Sequence, residues 1–155
     1  MCSKKNSNTL GAFVRGFGFA AHGVARCWRE RNFRFHVAAA VHVLPFARHF
    51  IRDTAEWCVL LLAVALVLCL EAVNTAVEHT VDLACPERDE RAAAAKDVAA
   101  GAVLVAALAA VVIACVGLSR VDGWTAVVAL WKEQWWRPVA LGGSLVGWMY
   151  LVFRR

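Results

Sequence analysis

Glu71, Asn74, Glu78 and Asp82 are separated by three, four and four residues. On an α-helix this spacing places all four on one stripe, roughly 16 Å long at about 1.5 Å of rise per residue. The stripe follows directly on WCVLLLAVALVLCL, residues 57–70, which carries no charge. Each carboxylate at bilayer depth costs about 2.5 to 3.5 kcal/mol, so a helix that only had to span would avoid them. Two chemistries suit acids placed there. They can hold a divalent cation and take the proton of an attacking hydroxyl, which with cations for the phosphates is most of what phosphoryl transfer requires. They can instead relay cations across a membrane without chemical conversion. The plain alternative is a helix that has left the bilayer, with ordinary solvated acids.

The stripe needs a long helix, and EAVNTAVEHTVDLA continues the apolar run with no Gly or Pro to stop it. One helix of roughly 30 residues, about 45 Å long, is expected to run from the hydrocarbon core into the headgroup region. Residues 85–96, CPERDERAAAAK, read as a charged connector broken by Pro86, and residues 98–117 as a second span of 20 apolar residues. Small residues at 101–110 favour close helix packing in lipid. Upstream, residues 9–31 repeat Phe13, Phe17, Ala20, Val24 and Trp28 at helical spacing, with Arg15, His22, Arg26 and Arg29 off that stripe. That pattern predicts a helix lying on the membrane surface. Residues 35–50 are apolar but short and interrupted by three histidines, Pro45 and Arg48, a weaker span. Residues 119–138 place Trp124, Val127, Val128, Trp131 and Trp135 on one face, with Trp136 beside them, as at a membrane boundary. Residues 139–153 read as a short fourth span.

Composition agrees with a bilayer as solvent: 61% of the 155 residues are hydrophobic and the mean hydropathy is +0.56. The 17 Lys and Arg against 12 Asp and Glu lie between apolar segments and form no basic face with interleaved aromatics, so nucleic acid is not an expected partner. No cleavable signal is expected, because residues 1–8 are polar and no uninterrupted apolar run follows. Placing the amino-terminal helix, the 85–96 connector and the carboxyl terminus in the cytosol puts 12 of the 17 Lys and Arg inside, the arrangement the positive-inside rule favours. His36, His42 and His49, six and seven apart, lack the spacing of a helical zinc pair and read as interfacial or packing residues. The six cysteines form no CxxC pair and read as structural.

EAVNTAVEHTVD at 71–82 resembles the motif of the prokaryotic diacylglycerol kinase and undecaprenol kinase family: Glu, two residues, Asn, a small hydroxyl residue, Ala, an aliphatic, Glu, then Asp four further on. ERNFRFH at 30–36 resembles the segment leading into that family's first span, and AKDVAAGAVL at 95–104 the start of its last. The resemblance covers about residues 9–117. It implies an all-α integral membrane bundle of a surface helix and three spans; the fourth span read at residues 139–153 lies in a carboxy-terminal extension, 118–155, beyond the family's usual end. Residues 1–8 form a polar tail.

The resemblance also implies a homotrimeric lipid kinase of the bacterial inner membrane, multi-pass, with its active site facing the cytosol. Its Mg²⁺-dependent reaction with ATP would phosphorylate a lipid alcohol. Undecaprenol is the expected acceptor because ERNFRFH is closer to that branch, with diacylglycerol second. In the family the glutamate opening the motif is the general base, here Glu71, with Asn74 beside the chemistry. Glu30 and Glu78 match the metal ligands, and Lys96 with Asp97 match a nucleotide-binding pair. The expected nucleotide-side set is Arg15, Glu30, Glu78, Glu87, Asp89, Lys96 and Asp97. No GxxxxGK[ST] or glycine-rich kinase loop is present, so side chains such as Lys96, Arg15 and Arg91 would substitute for backbone amides. A cation relay or a non-catalytic scaffold remains the reading from another class.

Overall fold

The computed structural model describes residues 9–154, and every regular element among them is a helix. In chain order these are α1 (Thr9–Cys27), α2 (Arg31–Ala47), α3 (Thr54–Ala84), α4 (Glu90–Leu118), α5 (Val121–Glu133) and α6 (Trp136–Phe153). Two of them, α3 and α4, are long and apolar enough to cross a membrane. At 31 and 29 residues they measure about 46 and 44 Å, well beyond a hydrocarbon core of about 30 Å.

The chain reverses between these two helices in residues 85–89 alone. Cys85 caps α3, Pro86 cannot extend it, and the Asp89 carboxylate caps α4 by accepting from the amides of Arg91 (2.7 Å) and Ala92 (3.2 Å). The connector is therefore shorter than the charge pattern 85–96 predicts. Glu90 to Lys96 is the first part of α4, because an Asp cap and a run of four alanines favour helix over loop. An ion pair between Lys96 and Asp82 ties the two helices across the turn.

The hairpin buries Leu60, Ala63 and Val67 of α3 and Val103 and Ala106 of α4. Ala63 and Ala106 let the backbones approach closely where lipid supplies no hydrophobic drive between helices. Beyond these positions α4 exposes much apolar surface, including Leu104, Leu108, Val111 and Val112.

Helix α2 is 17 residues long and packs on α3, and α6 packs on α2. The order of contacts makes α2 and α6 antiparallel. His42 pairs with Ser144 (2.8 Å) near one end, and Arg34 donates to the Val152 carbonyl (2.9 Å) near the other. Trp28 meets Trp148 edge-on, and the Arg31 guanidinium lies over the Phe153 ring. At the opposite end α5 is held by the bare Gly123 backbone pressed on Phe50, where an added Cβ would come within 2.2 Å of the ring. Arg120 pairs with Glu56 and Arg52 with Asp122, both at 2.6 Å. The five described cysteines are free. Trp135 does not share the α5 face, because α5 ends at Glu133 and Trp135 already caps α6.

Candidate functional site

The buried positions of α3 run Leu60, Ala63, Val67, Glu71, Asn74 and Thr75. Their spacing of three and four residues follows a single helix face, which changes from hydrocarbon to polar at Glu71. Glu71 is 2% exposed and Asn74 4%, so these two are not solvated surface acids and amides. Further along the stripe Glu78 is half-buried and Asp82 is exposed. Glu71 lies about 26 Å from the start of α3, seventeen rises along the helix.

The Asn74 amide donates to Glu78 Oε1 at 2.9 Å, one helical turn apart. With its NH₂ group so used, the Asn74 Oδ1 is buried and without a partner. Glu30 joins this cluster from the turn between α1 and α2. The fields of both the Glu78 and Glu30 carboxylates reach Glu71, so acids 41 and 48 residues apart in sequence converge. Glu30 stands at the amino-terminal cap of α2 without making a capping hydrogen bond. His79 Nε2 approaches Glu30 Oε1 at 3.9 Å.

Arg34 fixes the turn that carries Glu30. Its guanidinium donates to the carbonyls of Arg29 (2.9 Å) and Trp28 (3.3 Å) and, as above, to Val152 at the end of α6. The carboxy-terminal helix thus braces the acidic turn.

A second feature lies at the α3–α4 reversal, an open groove of about 490 Å³ lined in part by Asp82, Glu87, Arg88, Asp89 and Lys96. Its size falls within the range of small-molecule sites. Three of the expected nucleotide-side residues, Glu87, Asp89 and Lys96, meet here. Asp89 is already engaged as the α4 cap and Lys96 by Asp82. Asp97 is exposed one residue beyond Lys96 and does not line the groove. Arg15 is exposed on α1 and makes no hydrogen bond or ion pair among the described residues, so the structure does not bring it to either cluster.

His79, Thr75 and Arg34 are participants that the spacing argument passed over. His79 and Thr75 sit inside the EAVNTAVEHTVD motif beside residues already singled out, and Arg34 sits inside ERNFRFH. The signal was present, but Thr75 shares the buried face without a charge to mark it, and only the arrival of Glu30 from another element gives His79 a partner. His42 has both ring nitrogens occupied, by the Ala38 carbonyl (2.7 Å) and by Ser144, consistent with a packing residue.

No group of three or more His, Cys, Asp or Glu is arranged as a closed metal site among the described residues. The donors that do converge are hard oxygens: the carboxylates of Glu30 and Glu78 and the unpartnered Asn74 Oδ1. That set fits Mg²⁺, which takes one or two carboxylates and fills its remaining positions with water and substrate phosphate.

Residues 18–118 match the family described as prokaryotic diacylglycerol kinase. The chain is 43% identical over 117 residues to an undecaprenol kinase of Bacillus subtilis, covering 75% of this chain and 92% of that one. It is 42% identical over 99 residues to a diacylglycerol kinase of Synechocystis, covering 63% of this chain and 57% of the other. A diacylglycerol kinase of Escherichia coli is 30% identical over 113 residues, 71% of this chain and 93% of its own length. No solved structure matches.

Proposed function

The chain belongs to the prokaryotic diacylglycerol kinase family and is a membrane lipid kinase, and from that premise we propose that its acceptor is undecaprenol, with ATP as phosphoryl donor and Mg²⁺ as cofactor. The observation that carries the reading is the buried face of α3, where an apolar anchor passes without interruption into Glu71 and the Asn74–Glu78 pair. A lipid held by its tails offers its hydroxyl at that depth and no deeper into water. The Bacillus subtilis relative, matched over most of its length, supports undecaprenol. The Synechocystis and Escherichia coli relatives, named for diacylglycerol, make that lipid the second candidate.

In the proposed reaction Glu71 accepts the proton of the lipid hydroxyl as its oxygen bonds to the γ-phosphorus and the bond to the bridging oxygen of ADP breaks. Asn74 holds Glu78 in place through its amide. Glu30 and Glu78 would hold Mg²⁺, which would supply Lewis-acid stabilisation of the charge on the transferring phosphoryl group. Lys96, now neutralised by Asp82, is with Arg88 a cation at the groove for a triphosphate to capture. Arg15 and Asp97 complete the nucleotide side of the proposal once α1 and the start of α4 close on bound nucleotide, and the family resemblance supports a homotrimer that shares its sites between subunits. The charge distribution supports a multi-pass topology in a bacterial inner membrane with the acidic cluster facing the cytosol.

Purified protein in mixed micelles, given γ-labelled ATP and a panel of lipid alcohols, tests the acceptor directly. Label is expected in undecaprenyl phosphate, at a rate well above that for diacylglycerol. Label in phosphatidic acid alone would reverse the choice, and ATP hydrolysis without labelled lipid would remove the kinase reading.

A further inference from the structure

The extension builds a second polar pocket at the end of the bundle remote from Glu71. A cavity of about 360 Å³ opens between the last turns of α2, the middle of α5 and the first turns of α6. Arg48 and Arg137 line it from different elements, and His49 lines it too, within the field of both guanidinium groups. No carboxylate lines it.

The surrounding charges sharpen that point. Arg52 and Arg120, the other arginines at this end of the bundle, are neutralised by Asp122 and Glu56. Arg48 and Arg137 form no ion pair among the described residues, although acids were available to their neighbours. Arg48 is exposed and Arg137, whose guanidinium lies over the Trp136 ring, is half-buried, so two cations without a carboxylate partner face one open cavity and repel each other. An anion relieves that repulsion, and guanidinium forks suit phosphate oxygens in particular.

The rest of the wall is amphiphilic. Trp131 and Trp136 stand at the rim, the residue type that settles at headgroup level, and Leu130, Val127 and Leu141 continue the surface as hydrocarbon. Helix α2, 17 residues from Arg31 to Ala47, measures about 26 Å, close to the thickness of a hydrocarbon core. The pocket therefore sits at the membrane boundary opposite the acidic cluster.

We propose that this pocket binds the headgroup of an anionic phospholipid, with the phosphate between Arg48 and Arg137 and an acyl chain along Leu130 and Leu141. The site is formed by the extension together with α2 and takes no part in phosphoryl transfer. An acidic protein segment would meet the arginines but leave the hydrocarbon wall wet, and free phosphate would leave it unused. The bilayer lipid uses both.

The test is equilibrium binding of fluorescent phosphatidylglycerol to the full-length protein in neutral detergent, competed with phosphatidylglycerol, phosphatidylcholine or inorganic phosphate. Phosphatidylglycerol should compete well, phosphatidylcholine poorly, and inorganic phosphate only at far higher concentration. Arg48→Gln with Arg137→Gln should bind roughly 30-fold more weakly, since each cation at an anionic lipid surface is worth about fivefold. Arg48→Lys with Arg137→Lys keeps both charges and should stay within about threefold of the unmodified protein. Lipid kinase activity in detergent should be unchanged in both variants, which reports that they fold. Equal competition by phosphatidylcholine or by inorganic phosphate, or unaltered binding in the Gln pair, would overturn the site. Should the Gln pair lose kinase activity through misfolding, the competition series on the unmodified protein still decides.

Discussion

Replacing Glu71 by Gln separates the proposed base from every structural role that the residue plays. The amide keeps the size of the carboxylate and can accept or donate a hydrogen bond at a position that is 2% exposed. It also removes a negative charge from a cluster in which Glu30 and Glu78 both act on the same site. Like charges gathered in a partly desolvated place raise the energy of the fold, so the variant should be at least as resistant to thermal unfolding as the parent. Loss of a positioned general base costs about 10² to 10⁴ in kcat, or about 2.7 to 5.4 kcal/mol of barrier at 1.36 kcal/mol per decade. The KM for Mg·ATP should shift little, because Glu78, Glu30 and the groove at Lys96 are left intact. The assay is lipid phosphorylation with the acceptor in excess, read beside an unfolding curve of the same preparation. A Glu71→Gln protein that keeps kcat within a few-fold would refute Glu71 as the base while leaving the family assignment untouched.

Glu78→Ala should raise the concentration of Mg²⁺ needed for half-maximal activity at least tenfold, since one of two carboxylate ligands is lost; an unchanged Mg²⁺ titration takes Glu78 out of the metal site. Asn74→Ala leaves the Glu78 carboxylate without its 2.9 Å partner and should lower kcat by roughly tenfold, a cost expected when a group that orients a ligand is removed. Gly123→Ala drives a Cβ to 2.2 Å from the Phe50 ring, so it should destabilise the protein by about 1 to 3 kcal/mol in thermal unfolding, and a neutral effect would show that α5 is not seated on α2 in solution. A reporter fused after Arg155 should be cytosolic if α6 crosses beside α2, and its exposure on the other face would remove α6 as a span while leaving α3 and α4 in place.

The apolar-to-acidic stripe on α3 was readable because one helix carries it: spacing alone puts Glu71, Asn74, Glu78 and Asp82 on a line. The sequence could not show that this line is the buried face of the helix. Burial depends on what packs against it, and solvated acids have the same periodicity as enclosed ones. The convergence of Glu30 was reached only through the family resemblance, because no local rule brings a turn at residue 30 to a helix at residue 71. Boundaries failed where two signals competed. The charges of residues 85–96 suggested a loop, but an Asp cap followed by alanines outweighs charge in deciding where α4 begins. Trp135 was assigned to the α5 face by spacing, although the helix ends two residues before it. The extension was legible as apolar and Trp-rich, but its antiparallel seat on α2 rests on pairs such as Arg34 with Val152, separated by 118 residues.

That seat bears on how a family core of two well-defined spans can present an ordered acidic site. Glu30 lies on a turn, and turns between helices are the parts of a membrane bundle with the least packing to hold them. Arg34 gathers two carbonyls of that turn and one from α6 with a single guanidinium, so the geometry of the turn depends on a helix outside the matched residues 18–118. Removing the α6 carbonyl leaves a half-buried arginine short of an acceptor when its Nε is already without one. The resulting cost falls on the turn rather than on α3, because Glu71, Asn74 and Glu78 are positioned by the hairpin of α3 and α4. Loosening α6 should therefore weaken the contribution of Glu30 before that of Glu71, appearing as a poorer response to Mg²⁺ with the chemical step less affected. Equal loss in both would mean that the extension supports the whole bundle instead of its acidic turn.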